Sequence, residues 1–231
     1  MVYAIIVAGG KGNRMDSSIR KQYLEIDGSP LLCATLKAFN LCTLIENIIL
    51  VVPADDIKYC IDRIIDPLKI KKKVKLIKGG KERQESVYNG LLEIDEKDAT
   101  VVIHDGVRPF VSSGLIEECV RGALLHKACV SGLPASDTLK LVDDTGCIES
   151  TLSRDSVWLV QTPQAFDYSL IKKAHDIAIK DGFTGTDDAM LVERIGEKVK
   201  ILKGSKNNIK ITTKEDLILA QAIFQIIKSG N

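Results

Sequence analysis

The sequence predicts an α/β fold: a Rossmann-like, mostly parallel sheet flanked by helices, with a β-rich dimerisation arm. Three observations predict it. Short β-branched runs, "YAIIVA", "NIILVV", "VKLI" and "TVVIH", alternate with stretches of helical period such as "PLLCATLKAF" and "RQESVYNGLLEI", which is the pattern of βαβ units. The apolar runs are continuous, as in strands covered by helices on both faces. From residue 128 the texture changes, and "ACVSGLPASDTLKLVDDTGCIESTLSRDSVWLVQTP" packs strand-like pieces and turn signals together without a helical segment.

Taken in order, the first strand ends in "AGGKGNR", residues 8–14, and delivers a glycine-rich loop to the carboxyl edge of the sheet, where ligands of such sheets sit. The β-rich excursion is expected at about 134–158 as an insertion into one domain spanning 1–231. A segment of this kind does not bury both of its faces alone, so it is expected to pack on a second subunit. The α/β texture then resumes with helices at "SLIKKAHDIAIKD" and "TDDAMLVERI" and strands at "VKILKG" and "NIKIT". A last helix starts at Thr213, with Asp216 in the capping-box position.

Composition narrows the function. The 231 residues are 45% hydrophobic and 27% charged, ordinary values for a packed globule. Lysine and arginine number 32 against 31 acids, a net charge of +1, which offers no bulk attraction to nucleic acid or an anionic membrane. An anionic ligand must therefore be held by a local cluster. The six cysteines form no C-x-x-C pair and the three histidines lie far apart, so zinc is not expected and the thiols read as reduced and structural. The apolar start halts at Ala8, before Gly9 and Gly10, which fits neither a signal peptide nor a membrane span, and a cytoplasmic protein is expected.

The loop matches neither common glycine fingerprint. A Walker loop needs Ser or Thr after its lysine, and Lys11 is followed by Gly12. The dinucleotide pattern counted from Gly10 needs a small residue where Met15 stands. A nicotinamide enzyme would also close its second strand with an acid, yet that strand ends "VVPADD". What remains is a glycine-rich turn with two cations, Arg14 and Lys21, read either as a phosphate cradle or as a basic turn. The strand in "VVIHDGVRPFV" ends in Asp105, an oxygen ligand suited to Mg²⁺ beside phosphates. His104 reads as a hydrogen-bonded strand residue. "GGKERQESV" offers Gly80 and Ser86 for a base, and Lys210 in "NIKIT" adds a third cation. Asp187 and Asp188 stand where a helix dipole favours acids. Together these residues suit a nucleoside triphosphate with Mg²⁺.

In this order the pieces resemble the nucleotidyltransferases that join a nucleoside triphosphate to a phosphorylated sugar or alcohol. "AGGKGNRM", "KQYLEIDGSPLL", "GGKERQESV", "HDGVRPF", "SDTLK", "VQTPQAF", "GTDDA" and "NIKIT" are most similar to the 2-C-methyl-D-erythritol 4-phosphate cytidylyltransferases. The resemblance implies a single nucleotidyltransferase domain that transfers CMP from CTP to methylerythritol phosphate, releasing pyrophosphate, in non-mevalonate isoprenoid biosynthesis. It implies that Ala8, Gly9, Gly10 and Gly12 hold the triphosphate, that Arg14, Lys21 and Lys210 carry catalysis, and that Gly80, Ser86, Asp105 and Gly106 bind nucleotide or metal. It further implies a homodimer whose arm sends Thr138 and Arg154 to the partner's methylerythritol phosphate, with Arg108, Thr162 and Thr186 as further contacts. Arg20 departs from the proline usual before Lys21. The readings weighed against it are a ribitol 5-phosphate cytidylyltransferase, towards which "AGGKG" and "HDGVRP" lean, and a non-catalytic nucleotide-binding regulator.

Overall fold

The computed structural model describes residues 1–10 and 19–229. Strand β1 (Val2–Val7) is followed by a small ribbon of β2 (Glu25–Ile26) and β3 (Ser29–Pro30), then by α1 (Leu31–Leu41), entered through Pro30. Next come β4 (Asn47–Val52), the short α2 (Ile57–Cys60) and α3 (Asp66–Leu68), and β5 (Lys73–Lys78). Helix α4 (Arg83–Leu91) leads to β6 (Thr100–Asp105), and α5 (Ser113–His126) leads to β7 (Ala128–Pro134). The hairpin β8 (Lys140–Val142) and β9 (Ile148–Thr151) precedes β10 (Trp158–Asp167). Helices α6 (Tyr168–Lys180) and α7 (Asp188–Arg194), strand β11 (Lys200–Lys203) and helix α8 (Lys214–Lys228) complete the chain.

Seven strands form one sheet in the order β11-β7-β10-β6-β1-β4-β5. All pairings are parallel except those of β10, which runs antiparallel to both β6 and β7. The chain leaves β1 outward to β4 and β5, then returns to β6 on the other side. Its switch point therefore lies at the carboxyl ends of β1, β4 and β6, where a cleft opens by construction.

The strands are apolar throughout because their two faces pack into different layers. Ala4 and Ile6 of β1 join Leu32, Phe39, Leu50, Ile116 and Val120 on one face of the sheet. Ile5, between them, joins Val51, Val87, Leu91, Phe166 and Ile171 on the other. Side chains alternate in β structure, so a strand covered on both sides has no polar phase. Among the described residues no helix is long and apolar enough to cross a membrane. All six cysteines are free, and only Cys147 is exposed.

Helix ends follow local chemistry. Ser112, Asp167 and Asp187 each accept a hydrogen bond from the first turn of α5, α6 and α7. Thr213 and Asp216 form a reciprocal capping box on α8. Each such cap stabilises its helix by about 1 kcal/mol.

"NIKIT" does not form the strand its β-branched residues suggest. Residues 208–212 make one backbone bond to the sheet region, Ile211 N–H to Val107 C=O at 3.0 Å. The buried Asn208 explains the difference. Its Nδ2 donates to Thr162 C=O at 2.8 Å and its own C=O accepts from Arg108, and these bonds direct the segment across the strand ends instead of along an edge.

The excursion between β7 and β10 is built differently from the rest. β8 and β9 pair only with each other, apart from the main sheet. Their turn is closed by Asp143, which accepts from the backbone N–H groups of Thr145 and Cys147, with Gly146 at φ +84°. Leu141, Val142 and Ile148 stand exposed.

Candidate active site

The cleft at the switch point has a volume of about 970 Å³. Ala8, Gly9 and Gly10 form its floor beyond β1, and Gly79 and Gly80 form a second glycine turn beyond β5. The two turns approach closely: a Cβ on Gly9 would lie 3.5 Å from Gly79 Cα. Gly80 is pinned by Ser86, whose Oγ accepts from Gly80 N–H at 3.0 Å and donates to Glu82 C=O at 3.1 Å. Ser86 thus shapes the turn, and its hydroxyl has two partners within the chain. Glu85 folds over Gly80 so closely that a Cβ there would meet it at 2.3 Å.

Asp105, at the end of β6, is the electrostatic centre. Its Oδ1 accepts from Arg83 Nε at 3.0 Å, its Oδ2 lies 2.9 Å from Lys210 Nζ, and Arg108 Nε stands 3.6 Å away. Burial alone would raise its pKa, but Arg83, Lys210 and Arg108 outweigh burial and hold the carboxyl well below the usual range. The group is a permanent anion.

His104 faces away from the cleft. Fully buried, it contacts Thr162 Oγ1 through Nδ1 at 3.0 Å and Arg108 C=O through Nε2 at 3.2 Å. Burial lowers its pKa to about 4, so the ring is neutral near pH 7. Thr162 also accepts Asp105 N–H at 3.1 Å.

The structure brings together Ala8, Gly9, Gly10, Lys21, Gly80, Ser86, Asp105 and Lys210 around one cleft. Gly106 packs behind it, where a Cβ would meet Ala8 Cβ at 2.9 Å. Arg108 and Thr162 are also behind the wall, their polar atoms turned to Asn208, Asp105 and His104. Thr186, Thr138 and Arg154 are exposed and line none of the cleft among the described residues. Among the described residues, Arg154 reaches Ser136 C=O, at 3.4 Å. Gly12 and Arg14 lie outside the described residues.

Arg83 and Arg20 also line the cleft, although neither stands out as a site residue in the sequence. Arg20 pairs with Asp56, which also accepts from Tyr23. The signal for Arg83 is positional: it opens α4, where the helix dipole disfavours a cation. Asp187 and Asp188 also divide their work. Asp187 caps α7, whereas Asp188 accepts from Arg83 Nη1 at 2.7 Å.

A family profile described as IspD, 2-C-methyl-D-erythritol 4-phosphate cytidylyltransferase, matches residues 2–226. The chain belongs to this family. A relative of that name from Caldanaerobacter subterraneus subsp. tengcongensis is 45% identical over 97% of this chain and 99% of its own length. Another, from Syntrophus aciditrophicus, is 47% identical over 97% and 96%. A crystal structure of 4-diphosphocytidyl-2C-methyl-D-erythritol synthase from Anaerococcus prevotii superposes with a TM-score of 0.87 at 37% identity, covering 97% of this chain and 96% of that one. The Thermus thermophilus cytidylyltransferase superposes at 0.78, with 29% identity and coverage of 96% and 98%. Membership accounts for a cleft at the sheet's switch point with glycine turns below and cations around it, since a cytidylyltransferase must hold a triphosphate.

Proposed function

We propose that the protein transfers the cytidylyl group of CTP to 2-C-methyl-D-erythritol 4-phosphate, releasing pyrophosphate, in the non-mevalonate route to isoprenoid precursors. The observation that carries this reading is the family match across residues 2–226, which spans every residue placed around the cleft. A phosphomonoester oxygen of the acceptor attacks the α-phosphorus of CTP. That oxygen is already anionic near neutral pH, so no general base is required. His104, neutral and committed to Thr162 and Arg108, is free of that duty.

Catalysis then rests on alignment and charge stabilisation. Gly9 and Gly10 present bare backbone to the phosphates, while Lys21 and Lys210 neutralise charge developing around the α-phosphate. The sequence assigns Arg14 the same duty. Gly80, with Ser86 holding its turn, offers main-chain groups to the base, and Gly106 lets the β6 end lie against Ala8.

Among the described residues no three His, Cys, Asp or Glu side chains cluster as a metal cage. Of the acids that line the cleft, Asp55, Glu82, Glu85 and Asp105, only Asp105 is buried and held ionised by its neighbours, and one such carboxylate fits Mg²⁺, which takes one or two carboxylates and draws its remaining ligands from phosphates and water. Asp105 would hold that ion, whose charge would offset that of the triphosphate.

Arg154 and Thr138 are too far out on the arm to line their own cleft, which supports a homodimer in which each arm serves the partner's acceptor site. Thr186 belongs to the same proposed acceptor region, with Arg108 and Thr162 supporting it from behind the cleft wall. The test is pyrophosphate release from CTP and Mg²⁺ with methylerythritol phosphate, with ribitol 5-phosphate run in parallel. Release with the first acceptor is expected, and preference for ribitol 5-phosphate would overturn the reading. EDTA should stop release and Mg²⁺ should restore it.

A further inference from the structure

Arg83 has a task that the proposed reaction leaves unassigned. It is the first residue of α4, where a cation opposes the helix dipole, so its position needs a compensating reason. The reason is two buried carboxylates on opposite sides of one guanidinium. Nε donates to Asp105 at 3.0 Å and Nη1 to Asp188 at 2.7 Å. Asp188 is gripped in turn by His175 Nε2 of α6 at 3.2 Å, with both side chains almost fully buried. Meeting both aspartates leaves Nη2 buried without a partner among the described residues. Leaving a buried donor unpaired is unfavourable, so the arrangement is dictated by the carboxylates.

We propose that Arg83 is a positioning residue for Asp105, clamped from behind by Asp188 and His175, so that helices α6, α7 and α4 together fix the carboxylate at the end of β6. With Oδ1 tied to Arg83, the carboxylate plane is set and Oδ2 faces Lys210, on the cleft side, at 2.9 Å and Arg108 at 3.6 Å. A lysine carries the charge but lacks the planar fork that spans two carboxylates. The inference rests on the reading of Asp105 as a nucleotide- or metal-binding group.

The test is a double-mutant cycle of Arg83→Lys and Asp105→Asn, read by two measurements. One is CTP affinity by calorimetry with Mg²⁺ and without acceptor, and the other is kcat for pyrophosphate release. Arg83→Lys should weaken CTP about fivefold and lower kcat about tenfold in the native background, and have less than a twofold effect beside Asp105→Asn. Asp188→Asn should move both quantities the same way by about threefold, which keeps the test decisive where Arg83→Lys fails to fold. Equal effects of Arg83→Lys in both backgrounds, or unchanged CTP affinity and kcat in Asp188→Asn, would overturn the proposal. Failure of the native protein to release pyrophosphate would instead defeat the proposed reaction, and the calorimetric cycle would still decide the role of Arg83.

Discussion

The cleft wall and the β8–β9 arm are opposite solutions to placing polar residues. On the wall and just behind it nearly every polar group is fixed by another group of the same chain: Asp105 by Arg83 and Lys210, Ser86 by Gly80 and Glu82, and His104, behind the wall, by Thr162 and Arg108. On the arm, Thr138 and Arg154 are exposed, and Leu141, Val142 and Ile148 turn outward. A network closed within one chain is preorganised for charge. A hairpin with apolar side chains facing water lacks a covering face, which the proposed second subunit would supply.

The contrast can be broken at several points. The largest effect is expected on the wall: Lys21→Ala should lower kcat by about 10²-fold or more with the melting midpoint little changed, as steady-state rates and thermal melts would show. Near-normal turnover would remove Lys21 from the reaction.

Next is the cost of the buried wall in acid. His104 titrates at about 4 instead of 6.5, so between these values the unfolded chain binds a proton that the folded chain refuses. Stability is therefore full above pH 6.5 and declines as the pH falls towards 4, by on the order of 3 kcal/mol. Burial is the main cause; Asp105 and the bond to Arg108 C=O oppose the shift, while the charges of Arg108 and Arg83 reinforce it. Urea midpoints taken from pH 7 to pH 4.5 should show the slope, and His104→Gln should flatten it.

On the arm, Arg154→Ala should raise KM for the phosphorylated acceptor about tenfold, roughly 1.4 kcal/mol, and leave KM for CTP unchanged. Mixing it with Lys21→Ala subunits should restore activity, because a mixed dimer holds one site with both residues intact. Additive loss in the mixture would place Arg154 in its own subunit's cleft. The smallest effect on folding belongs to Leu141→Ser, expected to change monomer stability by less than about 0.5 kcal/mol while shifting the sedimentation profile towards monomer.

Much of the fold was legible because each strand had one dominant signal. "NIILVV" coincides with β4, and the Thr213–Asp216 cap falls where the spacing places it. "NIKIT" was misleading because the signal for a strand is local, whereas the bonds of Asn208 to Thr162 and Arg108 span 46 and 100 residues. The acids of "TGTDDA" open a helix as their position suggests, Asp187 as its cap and Asp188 in its first turn, but the bond of Asp188 to a guanidinium 105 residues away was not legible.

The sequence by itself determined the parallel sheet, the glycine turn after β1 and the types of residue that gather at the sheet's carboxyl edge, because periodicity and turn chemistry act over a few residues. Only the tertiary structure decided which carboxylate meets which cation. It tied Asp105 to Arg83 and Lys210, turned His104 and Thr162 away from the cleft, and left Arg154 outside it. The physical reason is that buried charges are placed by desolvation and pairing across the whole fold.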